Sequence, residues 1–270
     1  MRWLAALVLL AGCSHKAAVA PVDQTLNRLE HAGDIALAQE LPVQAAEQYR
    51  AALVRARERD DAGAIADAGF NLATSQLAAN EPAAALLTAQ EIRIELARRG
   101  MTDPALDLIT ATALFRGNRS GEAERWATRL DGSGTLSNKA WFLRGLIAGE
   151  RQNRAGLTQA EAALSPDADS ADRADLRAHM AHRPALALTA ADLRREALDY
   201  RGMARCLALA AVFTADPALA ADLYLRAGRS AAAQHDVAQA RAWLVHARVG
   251  ILRVEADRAI GSLVLDQLRK

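Results

Sequence analysis

The segment Leu29–Ala52 reads LEHAGDIALAQELPVQAAEQYRAA, with one helical run on each side of a turn at 40–42. The large residues Leu29 and Tyr49 alternate there with small ones. The small residues recur at helical spacing in both runs, at Ala32, Gly33, Ala36, Ala45 and Ala52. Small residues let two helix axes approach, and a large residue fills the space opposite. The segment therefore predicts two antiparallel helices in close contact.

The rest of the chain from residue 23 onward is predicted to be helical as well. Alanine dominates its composition, and no window alternates with the period of two that a half-buried strand requires. We predict helices near 23–39, 43–59, 62–79, 82–99, 104–116, 121–130, 137–151, 155–164, 170–182, 189–214, 217–233, 236–247 and 249–268. Most connections are short, so successive helices should be antiparallel neighbours.

Proline and aspartate mark several of the predicted helix starts. The first turn of a helix tolerates proline because its backbone N–H would have no partner there. Prolines precede four of the apolar-periodic runs, at Pro42, Pro82, Pro104 and Pro217. Asp103 and Asp216 stand directly before two of these prolines and should act as N-caps. Thr189 with Asp192 has the spacing of a capping box, which predicts that one long helix begins there and continues to 214.

Versions of the opening pattern recur along the chain. Glycine or alanine occupies the equivalent close-contact position at Gly33, Ala73, Ala111 and Gly145, with spacings of 40, 38 and 34 residues. A further copy from Tyr224 to Ala247 matches the pattern best. The tetratricopeptide pattern W-x2-L-G-x2-Y followed by A-x3-F has a period of about 34 residues. The chain resembles the tetratricopeptide-repeat family in a degenerate form that lacks the closing proline.

The resemblance implies an all-α fold, a right-handed superhelix of antiparallel helix pairs within a domain at 23–270. Its clearest repeats would lie near 25–58, 66–99, 104–131, 137–165 and 219–248, with a capping helix at 249–270. Between Leu164 and Pro217 no clean repeat can be placed. An irregular alanine-rich helical bundle is the alternative.

The resemblance also implies a concave groove lined by the first helix of each pair. Carried onto this chain position by position, the groove would be lined by Glu30, Asp34, Phe70, Thr74, Leu77, Leu108, Phe115, Arg116, Lys139, Phe142, Leu146 and Glu150. The same positions include Asn27, Leu37, Asp67 and Thr112. An apolar floor with a charged rim would suit an amphipathic helix or an extended peptide. The alternative is that the phenylalanines fill gaps between helices.

The first thirteen residues form a separate element. Arg2 precedes an apolar run at 3–10, and Ala11 and Gly12 stand before Cys13, which is typical of a secretory signal peptide. The ending resembles the lipobox of bacterial lipoproteins. That resemblance implies cleavage after residue 12, lipidation of Cys13 and a tether at 13–22, with an outer-membrane anchor on the periplasmic face. A simple signal peptide that ends at a chance cysteine is the alternative.

The charge balance and the types of polar residue favour a protein that acts by binding rather than by catalysis. Lys and Arg number 33 and Asp and Glu 32, so loss of Arg2 with the leader would leave 32 − 32 = 0, and we expect no nucleic-acid partner. Cys206 is predicted to be a buried free thiol, and Trp126 and Trp243 to be packing residues. Asp175, His179 and His182 share a helical face that we interpret as solvated. We expect no metal, no cofactor and no enzymatic activity.

These features together predict a membrane-anchored periplasmic scaffold that works through protein–protein contact. The resemblance is broadly to repeat lipoproteins that serve β-barrel assembly, pilus-secretin assembly or peptidoglycan synthesis, and it does not choose among them. The alternative is an all-α module that binds a small envelope ligand such as a peptidoglycan or lipid fragment.

Overall fold

The structure, a computed structural model, describes residues 23–130, 132 and 134–268, and it describes side-chain surroundings up to residue 264. The described residues form α-helices joined by short connections and contain no strand. The helices are α1 (Gln24–Ala38), α2 (Pro42–Glu58), α3 (Ala62–Ala78), α4 (Pro82–Arg98), α5 (Pro104–Arg116), α6 (Ser120–Ala127), α7 (Thr135–Glu150), α8 (Arg154–Ala163), α9 (Ser170–Ala181), α10 (Pro184–Glu196), α11 (Tyr200–Phe213), α12 (Pro217–Ala233), α13 (Val237–His246) and α14 (Arg253–Leu268). Single 3-10 turns follow α6 and precede α14.

Capping side chains set most of the helix starts. Asp103 and Asp216 accept hydrogen bonds from the first backbone N–H groups of α5 and α12, as predicted. Other aspartates do the same at the starts of α1, α3, α9, α11 and α13. The four prolines named from the sequence also open helices, as predicted. These local signals therefore define where most helices begin.

A common turn ends many of the described helices. One residue adopts the left-handed conformation, and the N–H of the residue after it donates back across the last helical turn. Few residues other than glycine and asparagine adopt this conformation readily. In this protein it is nevertheless found at Glu40, Asn80, Asn118, Gln152, Leu198 and His235. The repeated geometry returns the chain antiparallel after three residues each time.

The helices pack as a solenoid. Each helix contacts the next one along the chain, and α3, α5, α7 and α9 also contact one another in succession, which makes them an inner layer. Buried alanine, leucine and isoleucine side chains form a series of core clusters along the described chain. The last helix, α14, packs against α12 and α13 through Ala256 and Leu263. The predicted all-α solenoid of helix pairs with a capping helix is confirmed.

Glycines mark the closest helix crossings. A Cβ added at Gly33 would lie 2.6 Å from the Tyr49 ring on α2, and one added at Gly228 would lie 2.6 Å from Leu244 on α13. Both contacts follow the small-against-large pattern of the opening segment. In α3 the closest approach is made by Gly69 against Ile92, one helical turn before Ala73. Small residues thus set the crossings throughout, but the register of the crossing differs between pairs.

The predicted single helix at 189–214 is wrong. Two helices cover this region, because α10 begins at Pro184 and ends at Glu196, and α11 begins at Tyr200. Thr189 is not a cap, since its hydroxyl donates to the carbonyl of Ala185 one turn earlier within α10. The break falls at Leu198, whose left-handed conformation is one that its residue type does not signal. None of the described helices is long and apolar enough to cross a membrane.

Candidate functional site

The inner faces of several helices enclose a cavity of about 1240 Å³. Its wall is built mainly from α5, α7, α9 and α11, with contributions from α8, α12 and α13. The superhelix curves until the α3–α4 turn meets α11 and the α12–α13 turn. Asn80 accepts a hydrogen bond from Arg201 at 3.0 Å and donates one to the His235 carbonyl at 3.5 Å. At the position of Asn80 these contacts close the superhelix into a ring around the cavity. The cavity is therefore not a simple open groove.

Seven of the twelve groove residues predicted from the sequence line this cavity. They are Leu108, Phe115, Arg116, Lys139, Phe142, Leu146 and Glu150, all on α5 or α7. The repeat pattern therefore assigns the inner face of these two helices correctly. Phe115 and Phe142 are half-buried and pack on core clusters while also lining the cavity.

The other five predicted residues are not among the cavity-lining residues. They are Glu30, Asp34, Phe70, Thr74 and Leu77, all on α1 or α3. Phe70 packs against the first core cluster, as the alternative interpretation expects. Asp34 accepts a hydrogen bond from the Tyr49 hydroxyl. Burial raises the pKa of Glu30, and the nearby carboxylates Asp67, Asp34 and Asp61 raise it further. The first two pairs therefore present an acidic face separate from the cavity.

Much of the apolar wall comes from helices that the sequence pattern did not assign to the groove. Apolar residues of α8, α9, α11 and α13 line it, at Leu157, Met180, Leu209, Val212, Phe213 and Trp243. His182 stacks on Phe213 with ring centroids 4.9 Å apart. The repeat register was lost between 164 and 217, so the sequence offered no signal for the residues of α9 and α11. Trp243 packs against two core clusters and also lines the cavity.

The face of Asp175, His179 and His182 was predicted to be solvated, which is wrong for Asp175 and His179, whose side chains are 0% and 16% exposed, while His182 is exposed. The side chains of Asp172 and Asp175 have exposed fractions of 1% and 0%. Arg194, on α10, contacts both carboxylates, at 2.8 and 3.4 Å, and Arg205, on α11, forms an ion pair with Asp175. These four residues form a buried charge cluster. The face is buried because α10 and α11 pack over α9, and opposite charges compensate the loss of water.

The buried charge cluster shifts the pKa of Asp175 and of groups beside it. Burial opposes ionisation of Asp175, but Arg205 and Arg194 outweigh it, so the pKa of Asp175 lies below its ordinary value. Burial lowers the pKa of the neighbouring His179, Asp175 partly offsets this, and Arg205 and His182 lower it further. Cys206 is a buried free thiol as predicted, and burial raises its pKa. Asp175 thus favours the ionised form, while His179 beside the cluster favours the neutral form.

Aromatic rings near the cavity have cations above them. The guanidinium groups of Arg194 and Arg205 lie 4.8 and 5.7 Å from the centroid of the Phe142 ring. On the other side of the solenoid wall, Trp126 is held between Arg93 and Arg129 at 4.2 and 3.8 Å. Such contacts fix ring orientation. The prediction that Trp126 is a packing residue agrees with its place against the third core cluster.

The structure combines three features: small-against-large helix pairs, an inner layer of first helices, and a concave cavity on that layer. The fold is tetratricopeptide-like. Among solved structures, the chain is similar to a tetratricopeptide repeat protein from Parabacteroides merdae, with 17% identity and a TM-score of 0.49 over 90% of this chain and 100% of that one. It is also similar to the TPR2AB domain of yeast Sti1, from its complex with pHSP90, with 14% identity and a TM-score of 0.35 over 90% of this chain and 96% of that one.

These similarities concern the fold alone. No family model matches the chain, and no curated protein sequence matches it. Among the described residues no group of three or more His, Cys, Asp or Glu side chains is placed to hold a metal ion. Cys13 and the leader at 1–12 lie outside the described residues. Helical solenoids of this kind present extended concave surfaces.

Proposed function

We propose that the protein is an envelope scaffold that binds a segment of a partner protein in the cavity between α5 and α13. One observation supports this most directly. Side chains from successive inner helices converge on a single cavity of about 1240 Å³ whose wall is partly apolar and partly charged. Sites that bind ligands are typically concave and apolar, with a few placed polar groups. A chain segment with apolar side chains would bury them against Phe142 and its neighbours.

Membrane anchoring is part of the same proposal and is supported by the leader sequence. Lipidation at Cys13 would place the cavity at the periplasmic face of the outer membrane, within reach of an envelope assembly machine. Stable anchoring needs two or more lipid chains, which a processed lipoprotein cysteine provides. The test is a Cys13→Ala variant followed by membrane fractionation. The variant should leave the membrane fraction, and an unchanged distribution would contradict the anchor.

The scaffold function is tested by photo-crosslinking inside cells. A photoreactive amino acid is placed at Phe115 or at Phe142, and captured species are identified by mass spectrometry. Phe70 is the matched control, because it packs against the first core cluster and is not a cavity-lining residue. We expect the same protein adduct from Phe115 and Phe142 and none of it from Phe70. Equal capture from all three positions would contradict partner binding in the cavity.

A second candidate is a module that binds a small envelope ligand, such as a peptidoglycan or lipid fragment. The observation in its favour is the contact between Asn80 and the α11–α13 region, which encircles the cavity and restricts access by a bulky partner. The same crosslinking experiment separates the two candidates. Adducts of only lipid or glycan mass at Phe115 and Phe142 would support the small-ligand function.

A further inference from the structure

The cations that line the cavity differ in whether they have a carboxylate partner. Lys139 lies 2.8 Å from Asp172, and Arg201 lies 2.8 Å from Asp236. Arg205 is paired with Asp175 in the buried charge cluster. These three cations are therefore neutralised by the protein itself.

Arg116 is the exception among the buried cations of the cavity wall. It stands at the end of α5 and is partly buried, and its Nη1 donates to the Leu77 carbonyl at 2.7 Å. Within the described residues it forms no ion pair. The pKa of Arg116 is lowered to about 10, mainly by burial and also by Arg201 and Arg205, against the opposing effect of Asp199 and Asp236.

A partly buried guanidinium whose only partner is a neutral carbonyl has no counter-charge in contact to replace its lost hydration. Removing charge from water is unfavourable unless a counter-charge or enough hydrogen bonds replace the lost hydration. One carbonyl occupies only one of the five N–H donors that a guanidinium offers. An anion in the cavity would use the remaining donors and also reduce the repulsion from Arg201 and Arg205. A carboxylate fits because it can accept two parallel N–H bonds from one guanidinium.

The surroundings of Arg116 indicate where in a ligand that carboxylate would lie. The cavity lining includes Leu108 and Thr112, which precede Arg116 on α5, and Asn80 and Pro82 at the α3–α4 turn. The apolar wall is formed by Phe115, Phe142 and the residues of α11. Because this apolar wall adjoins the guanidinium, a carboxylate flanked by apolar side chains fits the site.

We propose that Arg116 binds the side-chain carboxylate of an aspartate or glutamate located within an otherwise apolar partner segment. The inference rests on the proposed scaffold function and specifies its partner. Arg116 thereby sets the position of the segment in the cavity, while the apolar wall supplies most of the contact area.

The test is selection of binders from a random peptide library displayed between two folded flanking domains, so that no peptide terminus is free. The purified mature domain is the target, as wild type, as Arg116→Gln and as Arg154→Gln. Arg154 is the matched control because it lines the same cavity, is exposed and forms no ion pair within the described residues. Far-UV circular dichroism checks that each variant is folded.

We expect wild type and Arg154→Gln to enrich peptides with one Asp or Glu flanked by apolar residues. Arg116→Gln should keep the apolar preference and lose the acidic one. A second measurement needs only wild-type protein. Changing the selected acidic residue to its amide should weaken binding about tenfold or more, because a hydrogen bond to a charged acceptor is replaced by one to a neutral acceptor.

Each of the remaining outcomes contradicts either the role of Arg116, the internal position of the carboxylate or the scaffold function. Apolar peptides without an acidic preference, or the same preference in Arg116→Gln, would overturn the role of Arg116 and leave the scaffold function standing. Enrichment only from a parallel library with free C-termini would assign the carboxylate to a chain end and overturn the proposal. If wild type enriches no peptide from either library, the scaffold function itself fails and the inference fails with it.

Discussion

The first two helix pairs, α1–α4, and the three helices α9–α11 are both rich in alanine, but their charged side chains lie in different places. In α1–α4 the core contains Tyr49, Ile65 and Ile92 among alanines, and the ion pairs lie at its edge, the most buried being those of Asp23 with Arg55 and Arg59. Arg57, for example, reaches from α2 to Glu91 and Glu95 on α4 across the surface. In α9–α11 the alanine core adjoins the buried charge cluster of Asp172, Asp175, Arg194 and Arg205.

The difference shows that close helix packing and charge burial are independent properties of this chain. Small residues bring the axes together in both regions. Only in α9–α11 do two further helices cover the polar face of α9, so its carboxylates must find partners inside. The buried charge cluster also adjoins the cavity, through Lys139, His179 and Arg205. Charge is buried where the proposed ligand would bind.

The largest expected effect is on the buried charge cluster. Asp175→Asn preserves side-chain shape but leaves Arg205 without an ion pair among the described residues. We expect a loss of about 3–5 kcal/mol in the free energy of unfolding, measured by urea denaturation. The matched change in the other region is Glu91→Gln, whose side chain is 62% exposed, with an expected loss under about 1 kcal/mol. Equal losses would show that the two regions do not differ in charge burial.

The next effect tests small-against-large packing in α1–α4. A Cβ at Gly33 would lie 2.6 Å from Cζ of Tyr49, so Gly33→Ala must displace the ring or separate the helices. We expect a loss of about 1–3 kcal/mol, measured by thermal or urea unfolding. Gly261→Ala on α14 is the control, since a Cβ there has no neighbour within 4 Å and alanine favours the helix by up to about 1 kcal/mol. A neutral Gly33→Ala would contradict the packing described.

A smaller effect concerns the contact that joins the α3–α4 turn to the α11–α13 region. Asn80→Gly keeps the left-handed backbone and removes the side chain that bonds to Arg201 and His235. We expect a loss of about 1 kcal/mol and faster hydrogen exchange in both turns. Asn118→Gly is the control, at the same place in the next turn and with a left-handed backbone too. Indistinguishable exchange in the two variants would mean that the contact does not hold the cavity closed.

The smallest expected effect is the pH dependence of folding stability that His179 causes. Its pKa in the folded protein lies below the ordinary value of 6.5, so the unfolded chain takes up the proton first as the pH falls. Stability should therefore fall as the pH drops through about 6.5, and His179→Gln should flatten that slope in urea unfolding. The pKa of Asp175 is lowered, so its stabilising contribution is lost only in more acidic solution, below about 4. An unchanged slope in His179→Gln would contradict this assignment.

Local signals accounted for most of the fold. The aspartate caps and prolines placed helix starts within a residue or two, and the alternation around Gly33 and Tyr49 anticipated their contact. Between 165 and 217 the helix at 170–182 was predicted correctly, but the single helix at 189–214 was not. A turn at Leu198 contains neither glycine nor proline, and a capping-box spacing at Thr189 stands inside a helix. The first error arises because packing can hold a residue in a backbone conformation that its type disfavours. The second arises because the spacing of a capping box can also occur in the interior of a helix.

The candidate site was predictable only in part, for the same reason. The pattern positions on α5 and α7 reached the cavity, whereas those on α1 and α3 did not. Phe70 and Phe142 occupy equivalent pattern positions and both pack against a core cluster, yet only Phe142 also lines the cavity. Periodicity assigns a side chain to a helix face, and it contains no information on which distant helix that face will meet.

By itself the sequence determined that this protein is helical, that its helices pair closely and where most pairs begin. Those features depend on capping, proline and side-chain size, which act over a few residues or one helix crossing. Only the tertiary structure decided that the α3–α4 turn meets the α12–α13 turn, that Asp175 is buried and that Arg116 lines a cavity shared with α11 and α13. These outcomes depend on curvature, which is the sum of small rotations between successive pairs and is encoded in no single segment.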